Sequence, residues 1–322
     1  QDRALVELSA PRYLALVSYN SGSLDYLDFG IGSEIENFGV LERSGSLLFL
    51  GAVLSPHNNE SATVARALLE VEEHNFSLVR ALPLDRDGYS RGFAVDDFRN
   101  TAFLLEEYGT GEGSLRRLDL STGRMTHGVN VGPLPGTVSR RGLVHDPDTR
   151  TLFCLVGGAE AHDFAPVGEE SDPGILVFKS DSLDFVQRIP LPRDAQPQAL
   201  AFEPDRRILL VLASQGGASQ VYMFDASFLD LRSQVSLPEL VTDLTLSGPY
   251  AYAPGSRGVY VVDTVSSIWA PRPAINLEQT GEIAISPAGD LALVQFHATY
   301  LNDSPGVVLI DMNTGEVLES WR

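Results

Sequence analysis

The chain has 322 residues, 43% of them hydrophobic, and its 43 acidic against 23 basic side chains give a net charge of −20. An acidic balance of that size repels phosphate backbones, which excludes nucleic acid as a partner and disfavours anionic lipid surfaces. No apolar run approaches the ~18 residues that a membrane helix needs, so no membrane span is expected.

In chain order, short apolar runs bounded by Gly, Asp and Ser read as antiparallel strands. Ala4–Leu8, Tyr13–Ser18 and Leu24–Phe29 are the first three, with Glu34–Asn37 as a stunted fourth. Thr63–Glu73 has helical composition, yet its place in the pattern is that of a third strand. The most legible unit is Arg91–Val131, whose strands are Gly92–Val95, Thr101–Glu106, Leu115–Leu120 and Met125–Val131. One such sheet cannot cover both of its faces and needs neighbours like itself.

Those neighbours recur along the chain. The end of the first strand with its turn returns as Leu8-Ser-Ala-Pro-Arg12, Leu41-Glu-Arg-Ser-Gly45, Val144-His-Asp-Pro-Asp148, Phe202-Glu-Pro-Asp-Arg206, Leu246-Ser-Gly-Pro249 and Ile285-Ser-Pro-Ala-Gly289. Val95 completes the set, and the spacing is about 46 residues, the length of a propeller blade. Third strands close on Asp28, Asp119, Asp225, Asp263 and Asp311. The pattern predicts one all-β domain over residues 1–322, a seven-bladed β-propeller of four-stranded antiparallel blades. The blades fall at about 1–37, 38–90, 91–139, 140–195, 196–239, 240–279 and 280–322 by that period. Each turn Asp has a structural role, because its carboxylate accepts backbone N–H groups while a following Gly takes positive φ. Phe103, Phe153, Phe202 and Leu293 are expected between sheets, and Cys154, the single cysteine, as a small buried hydrophobe.

Asp119-Leu-Ser-Thr-Gly123-Arg124 and Asp311-Met-Asn-Thr-Gly315-Glu316 resemble the YVTN repeat of bacterial surface and periplasmic propellers. Ile285-Ser-Pro-Ala-Gly289-Asp290 and Phe202-Glu-Pro-Asp-Arg206 are similar to that family's turn between strands one and two. The resemblance covers most of the chain as repeats and implies an architecture, not a site, because propellers host many unrelated activities. It also implies an extracytoplasmic protein: periplasmic, secreted or on the cell surface. A start at Gln1, with a signal peptide already removed, and N-x-S sequons at Asn59, Asn75 and Asn302 agree with that expectation.

In a propeller blade the loops between strands two and three share a face with the crossings from one blade to the next. The long polar loops Pro56–Ala62, Gly157–Gly174 and His297–Gly306 all fall in that class and exceed what a hairpin needs. Counting back from the repeat markers aligns Asn37, Arg91, Arg140, Gln198, Thr242 and Gly281 as one ring at the channel mouth. Phe38, Gly92, Arg141, Ala199, Asp243 and Glu282 form the next. The expected binding residues are therefore Asn37, Arg91, Arg140, Arg141, Gln198, Asp243 and Glu282. Arg91 and Arg141, on adjacent blades, suit a bidentate clamp on a carboxylate. The competing expectation is that each Arg pairs with a neighbouring acid such as Asp87 or Glu107.

His57, His162 and His297 lie on loops of this same face near Glu60, Glu107, Glu160, Asp163 and Asp303. Such a donor set suits a transition metal, although no short His spacing supports one; no other cofactor is expected. The acidic turns of the opposite face match no EF-hand loop. No nucleophile elbow, Walker loop or dinucleotide fingerprint occurs. The expected function is a non-catalytic binding or scaffold propeller, presenting its loop-rich face and polar mouth to a protein partner or small ligand. The alternative is a propeller enzyme, a lactonase-like hydrolase or metal-assisted lyase, with its site at the channel mouth.

Overall fold

The computed structural model of the protein describes residues 3–9, 12–18, 24–27, 41–43, 46–54, 64–72, 78–84, 88–108, 111–126, 128–134, 141–157, 172–241, 243–255, 258–272, 280–286, 289–296 and 306–321. All regular structure among them is β-strand, in one three-stranded and six four-stranded antiparallel sheets, each built from consecutive strands. The chain divides into two compact units, Gln1–Gly132 and Pro133–Arg322.

The first unit begins with the three-stranded sheet Arg3–Ser9, Arg12–Ser18 and Leu24–Leu27. The expected stunted strand at Glu34–Asn37 lies outside the described residues. Sheet two follows with Leu41–Arg43, Ser46–Leu54, Val64–Glu72 and Leu78–Pro83. Val64–Glu72 pairs with strands on both sides, so ladder bonds override its helical composition, as its position in the repeat predicts. Sheet three comprises Tyr89–Asp96, Thr101–Glu107, Glu112–Asp119 and Val129–Pro133. Its fourth strand starts later than Met125, which makes only an isolated bridge to Leu118.

The second unit holds four sheets. Sheet four is Leu143–Asp146, Thr151–Val156, Gly174–Lys179 and Phe185–Pro190. Sheet five is Gln196–Glu203, Ile208–Gln215, Ala218–Asp225 and Leu231–Ser236. Thr245–Ser247, Tyr250–Gly255, Gly258–Asp263 and Ile268–Arg272 make sheet six. Thr280–Ile285, Leu291–Phe296, Gly306–Asp311 and Val317–Trp321 make sheet seven. First strands of consecutive sheets lie beside one another, sheet four against five, five against six and six against seven.

Middle strands read as unbroken apolar runs because both of their faces are covered. Leu152–Val156 and Ile208–Ala213 are buried throughout, whereas the outer strand Leu231–Ser236 is mostly exposed. Phe153, Leu155 and Val177 of sheet four pack on Leu200, Leu209, Val211 and Tyr222 of sheet five. Leu210, Leu212 and Met223 of sheet five pack in turn on Ala251, Tyr260 and Val262 of sheet six. Tyr252 and Val261 meet Ile283, Val294 and Ile310 of sheet seven. Phe103, Phe153 and Leu293 are buried as expected. Phe202 is not: it stands near the end of its strand, half-buried, with its ring 6.0 Å from that of Phe153 and the Arg207 guanidinium 5.5 Å above it. Cys154 is buried, and that burial pushes its thiol well above the ordinary range, so it packs as a hydrophobe.

The third-strand Asp residues do what turn chemistry requires. Asp119 Oδ1 accepts the N–H groups of Ser121 and Thr122, at 2.8 and 3.0 Å. Asp225 serves Ser227 and Phe228, Asp263 serves Val265 and Ser266, and Asp311 serves Asn313 and Thr314 in the same way. These backbone bonds, led by the one from Thr122, hold the Asp119 carboxyl below its usual range. The residue after the second donor takes positive φ, as Gly123 does at 69° and Gly315 at 74°. Each of these glycines then returns its N–H to the carbonyl of its own Asp.

Candidate functional site at the starts of the first strands

Each first strand has one edge paired in its sheet and one edge turned away from it, where backbone groups need other partners. Near its start three of these strands lose register. Arg91 is the extra residue between Ser90 and Gly92, and Gln198 is the extra residue between Pro197 and Ala199. In sheet seven the shift spans Thr280 to Ile283. Bulges of this kind re-aim a side chain out of the regular alternation. They fall on the positions that the repeat alignment placed at the mouth.

In the second unit one side chain ties these starts together. Arg141 Nη1 donates to the Leu244 carbonyl, Nη2 to the Ile283 carbonyl at 3.3 Å, and Nε stands 3.3 Å from Asp243 Oδ1. The Arg141 carbonyl accepts the Leu200 N–H at 2.7 Å. Asp243 Oδ2 accepts the Ile283 N–H at 3.1 Å. Arg141 and Asp243 thus satisfy both backbone groups of Ile283, and one residue preceding sheet four touches sheets five, six and seven. The Arg141 guanidinium is committed to these partners. It builds the site and is not an open clamp for a carboxylate, which corrects that expectation.

Two acceptors here lack donors among the described residues. Asp243 is 2% exposed, and its Oδ1 is attracted to Arg141 without the alignment of a hydrogen bond. Gln198 is 8% exposed, and its Oε1 has no donor. Buried polar groups are nearly always paired, so these two acceptors call for an explanation, as do Ser180 Oγ and Arg207 Nη1 at the turn end. Burying an oxygen this way costs about 1–3 kcal/mol unless a partner arrives.

The other expected residues are placed as follows. Arg91 forms an ion pair with Glu107 of its own sheet, one of the two acids named as a competing partner. Beside it, Glu106 is fully buried and accepts from Tyr108 and Arg116, at 3.1 and 3.3 Å. Burial, reinforced by Glu106, raises the Tyr108 phenol above its ordinary value. Ala199 is buried. Glu282 belongs to the strand Thr280–Ile285, and its side chain is outside the described set. Asn37, Phe38, Arg140 and Thr242 lie outside the described residues, as do His57, His162, His297 and nearly all of the three long loops.

Two features escaped the repeat alignment. Glu239, in the crossing from sheet five to sheet six, accepts from Tyr260 at 2.7 Å, and a Cβ at Gly255 would collide with its carboxylate. At the opposite end, Arg207 reaches back to Asp146 at 2.6 Å, while Arg206 reaches forward to Thr264 at 2.9 Å and the Gly248 carbonyl at 2.8 Å. The double Arg after Phe202-Glu-Pro-Asp was the visible signal for the second feature, and nothing local signalled the first.

Neither a family model nor a curated protein matches the chain. Solved structures do. An oligogalacturonate lyase in complex with manganese is similar at 14% identity and a TM-score of 0.68, over 96% of this chain and 85% of that one. An oligogalacturonate lyase from Vibrio parahaemolyticus is similar at 13% identity and a TM-score of 0.67, over 96% and 86%. A structure of the nidogen/laminin complex is similar at 12% identity and a TM-score of 0.53, over 82% and 90%. Identities this low carry the architecture alone, and that architecture is an all-β propeller.

Proposed function

We propose that the protein is an extracytoplasmic, non-catalytic binding propeller of the YVTN-repeat kind, which receives a ligand where the first strands of its second unit begin. The observation that carries this reading is the pair of buried oxygens without a hydrogen-bond donor, Gln198 Oε1 on the first strand of sheet five and Asp243 Oδ1, which has only its ion pair with Arg141. The network around Arg141 leaves these two acceptors without a donor. The test is thermal unfolding of the wild type and Gln198→Leu against a chemically mixed library of small extracellular metabolites. The reading expects compounds that raise the wild-type Tm and leave the variant unmoved. Equal shifts in both proteins would put the site elsewhere.

The second reading, a metal-assisted enzyme, draws support from the fold shared with a lyase in complex with manganese. Among the described residues no three His, Cys, Asp or Glu side chains gather as a ligand set. The proposed ligands His57, His162 and His297 lie outside those residues, so no step is routed through a metal. Metal analysis of the purified protein, followed by turnover of any bound compound with and without added manganese, separates the two readings. A stoichiometric metal with turnover selects the enzyme.

A further inference from the structure

Resting on the binding reading, we infer that the ligand at Arg141, Gln198 and Asp243 is a neutral polyhydroxyl compound, a sugar or polyol that presents hydroxyl groups to these oxygens. The two unfilled atoms are both acceptors. An anion would meet their lone pairs directly and would approach a chain of net charge −20. A metal ion or ammonium group meets the opposite obstacle. The carbonyls of Leu244 and Ile283, which would help to hold a cation, already hold the Arg141 guanidinium, and its Nε stands 3.3 Å from Asp243 Oδ1. What remains is a donor without charge.

Among neutral donors, hydroxyls fit best. A hydroxyl rotates to donate and brings no charge with its donor. An amide N–H arrives with a fixed carbonyl that adds another acceptor to an acceptor-rich site. One small ring also carries several donors, which suits two oxygens placed on neighbouring strand starts. Both oxygens are closed to bulk water, and the Gln198 amide is the movable part. Its Oε1 holds no hydrogen bond, so turning that oxygen toward a ligand breaks none.

The experiment is ligand-observed NMR titration of the intact protein with four probe classes: neutral sugars and inositol, galacturonate, ethanolamine, and N-methylacetamide. The proposal expects binding of a neutral polyhydroxyl probe, weakened about tenfold or more in Gln198→Leu, the loss of one hydrogen bond to a buried group. That variant keeps the wild-type Tm or exceeds it, since it removes an unpaired buried oxygen. Gln198→Ala gives the same answer if leucine does not fit. Binding by galacturonate, ethanolamine or the amide alone overturns the ligand class and leaves the binding reading standing. If no class binds and both variants lower the Tm, the oxygens hold a structural water and the proposal fails.

Discussion

The two ends of the sheets in the second unit are built from the same residue types and differ in which atoms are left without a hydrogen bond: donors or a hydroxyl at the turn end, Arg207 Nη1 and Ser180 Oγ, and acceptors at the strand-start end. At the turn end each carboxylate described above accepts at least two hydrogen bonds. Asp146 accepts from the backbone N–H of Asp148 at 3.1 Å, from Thr149, and from Arg207, while Asp225 takes two N–H groups and Arg232. At the strand-start end Arg141 and Asp243 are equally surrounded by partners, yet Asp243 Oδ1 and Gln198 Oε1 are left open. Carboxylates held by several donors rigidify what they join, whereas a buried acceptor without a donor is costly. The turn end therefore belongs to stability, and the other end is the one proposed for recognition.

The largest expected effect tests the frame that both ends share. Phe153, fully buried among Val177, Leu200, Leu209 and Tyr222, should cost about 3–5 kcal/mol when cut to Ala, from lost transfer and the cavity left behind. Chemical denaturation measures it. A loss below roughly 1 kcal/mol, the scale of surface changes, would contradict the packing of sheet four on sheet five.

Next comes the turn end itself. Asp146→Ala should cost about 2 kcal/mol, less than a wholly buried pair because Arg207 keeps a fifth of its side chain exposed (21%). Burial alone would raise the Asp146 carboxyl, but the hydrogen bonds from Arg207 and Thr149 outweigh it and hold the carboxyl below its usual value. A carboxyl depressed on folding contributes stability that is fully present above its unfolded value of about 4. That contribution is lost as the pH falls through the lower folded value. The acid limb of a stability-against-pH curve should accordingly be shallower in Asp146→Ala than in wild type, and parallel limbs would show that the latch is inert.

A smaller effect is expected at Gly315, whose φ of 74° suits a residue without Cβ. Gly315→Ala should cost about 1 kcal/mol by forcing a left-handed conformation on an L side chain. Equilibrium unfolding that shows no loss would mean that the turn relaxes freely. The smallest expected change is Gln198→Leu, within about 0.5 kcal/mol of wild type or stabilising, because its Oε1 holds no hydrogen bond to lose. If this variant instead fell as far as Asp146→Ala, the contrast between the two ends would disappear.

The sequence by itself determined the repeat: its period, the antiparallel strand order and the Asp-led turns all follow from neighbours a few residues apart. Asp119 and the Ser121 and Thr122 N–H groups lie within one tetrapeptide, so local sequence suffices to write that motif. Counting along the repeat also brought Arg91, Arg141, Gln198 and Asp243 to the starts of the first strands. It did not reveal that Arg91 and Gln198 are bulge residues, because a register shift depends on the ladder partner as well as on the residue. Nor did it reveal what Arg141 does. Its partners are 102, 103 and 142 positions away, at Asp243, Leu244 and Ile283, and two of its contacts are to backbone carbonyls, which carry no residue identity. Only tertiary structure brings those edges together, and only there does it emerge that a cation expected to face a ligand is held by the protein, while Gln198 Oε1 has no hydrogen-bond donor.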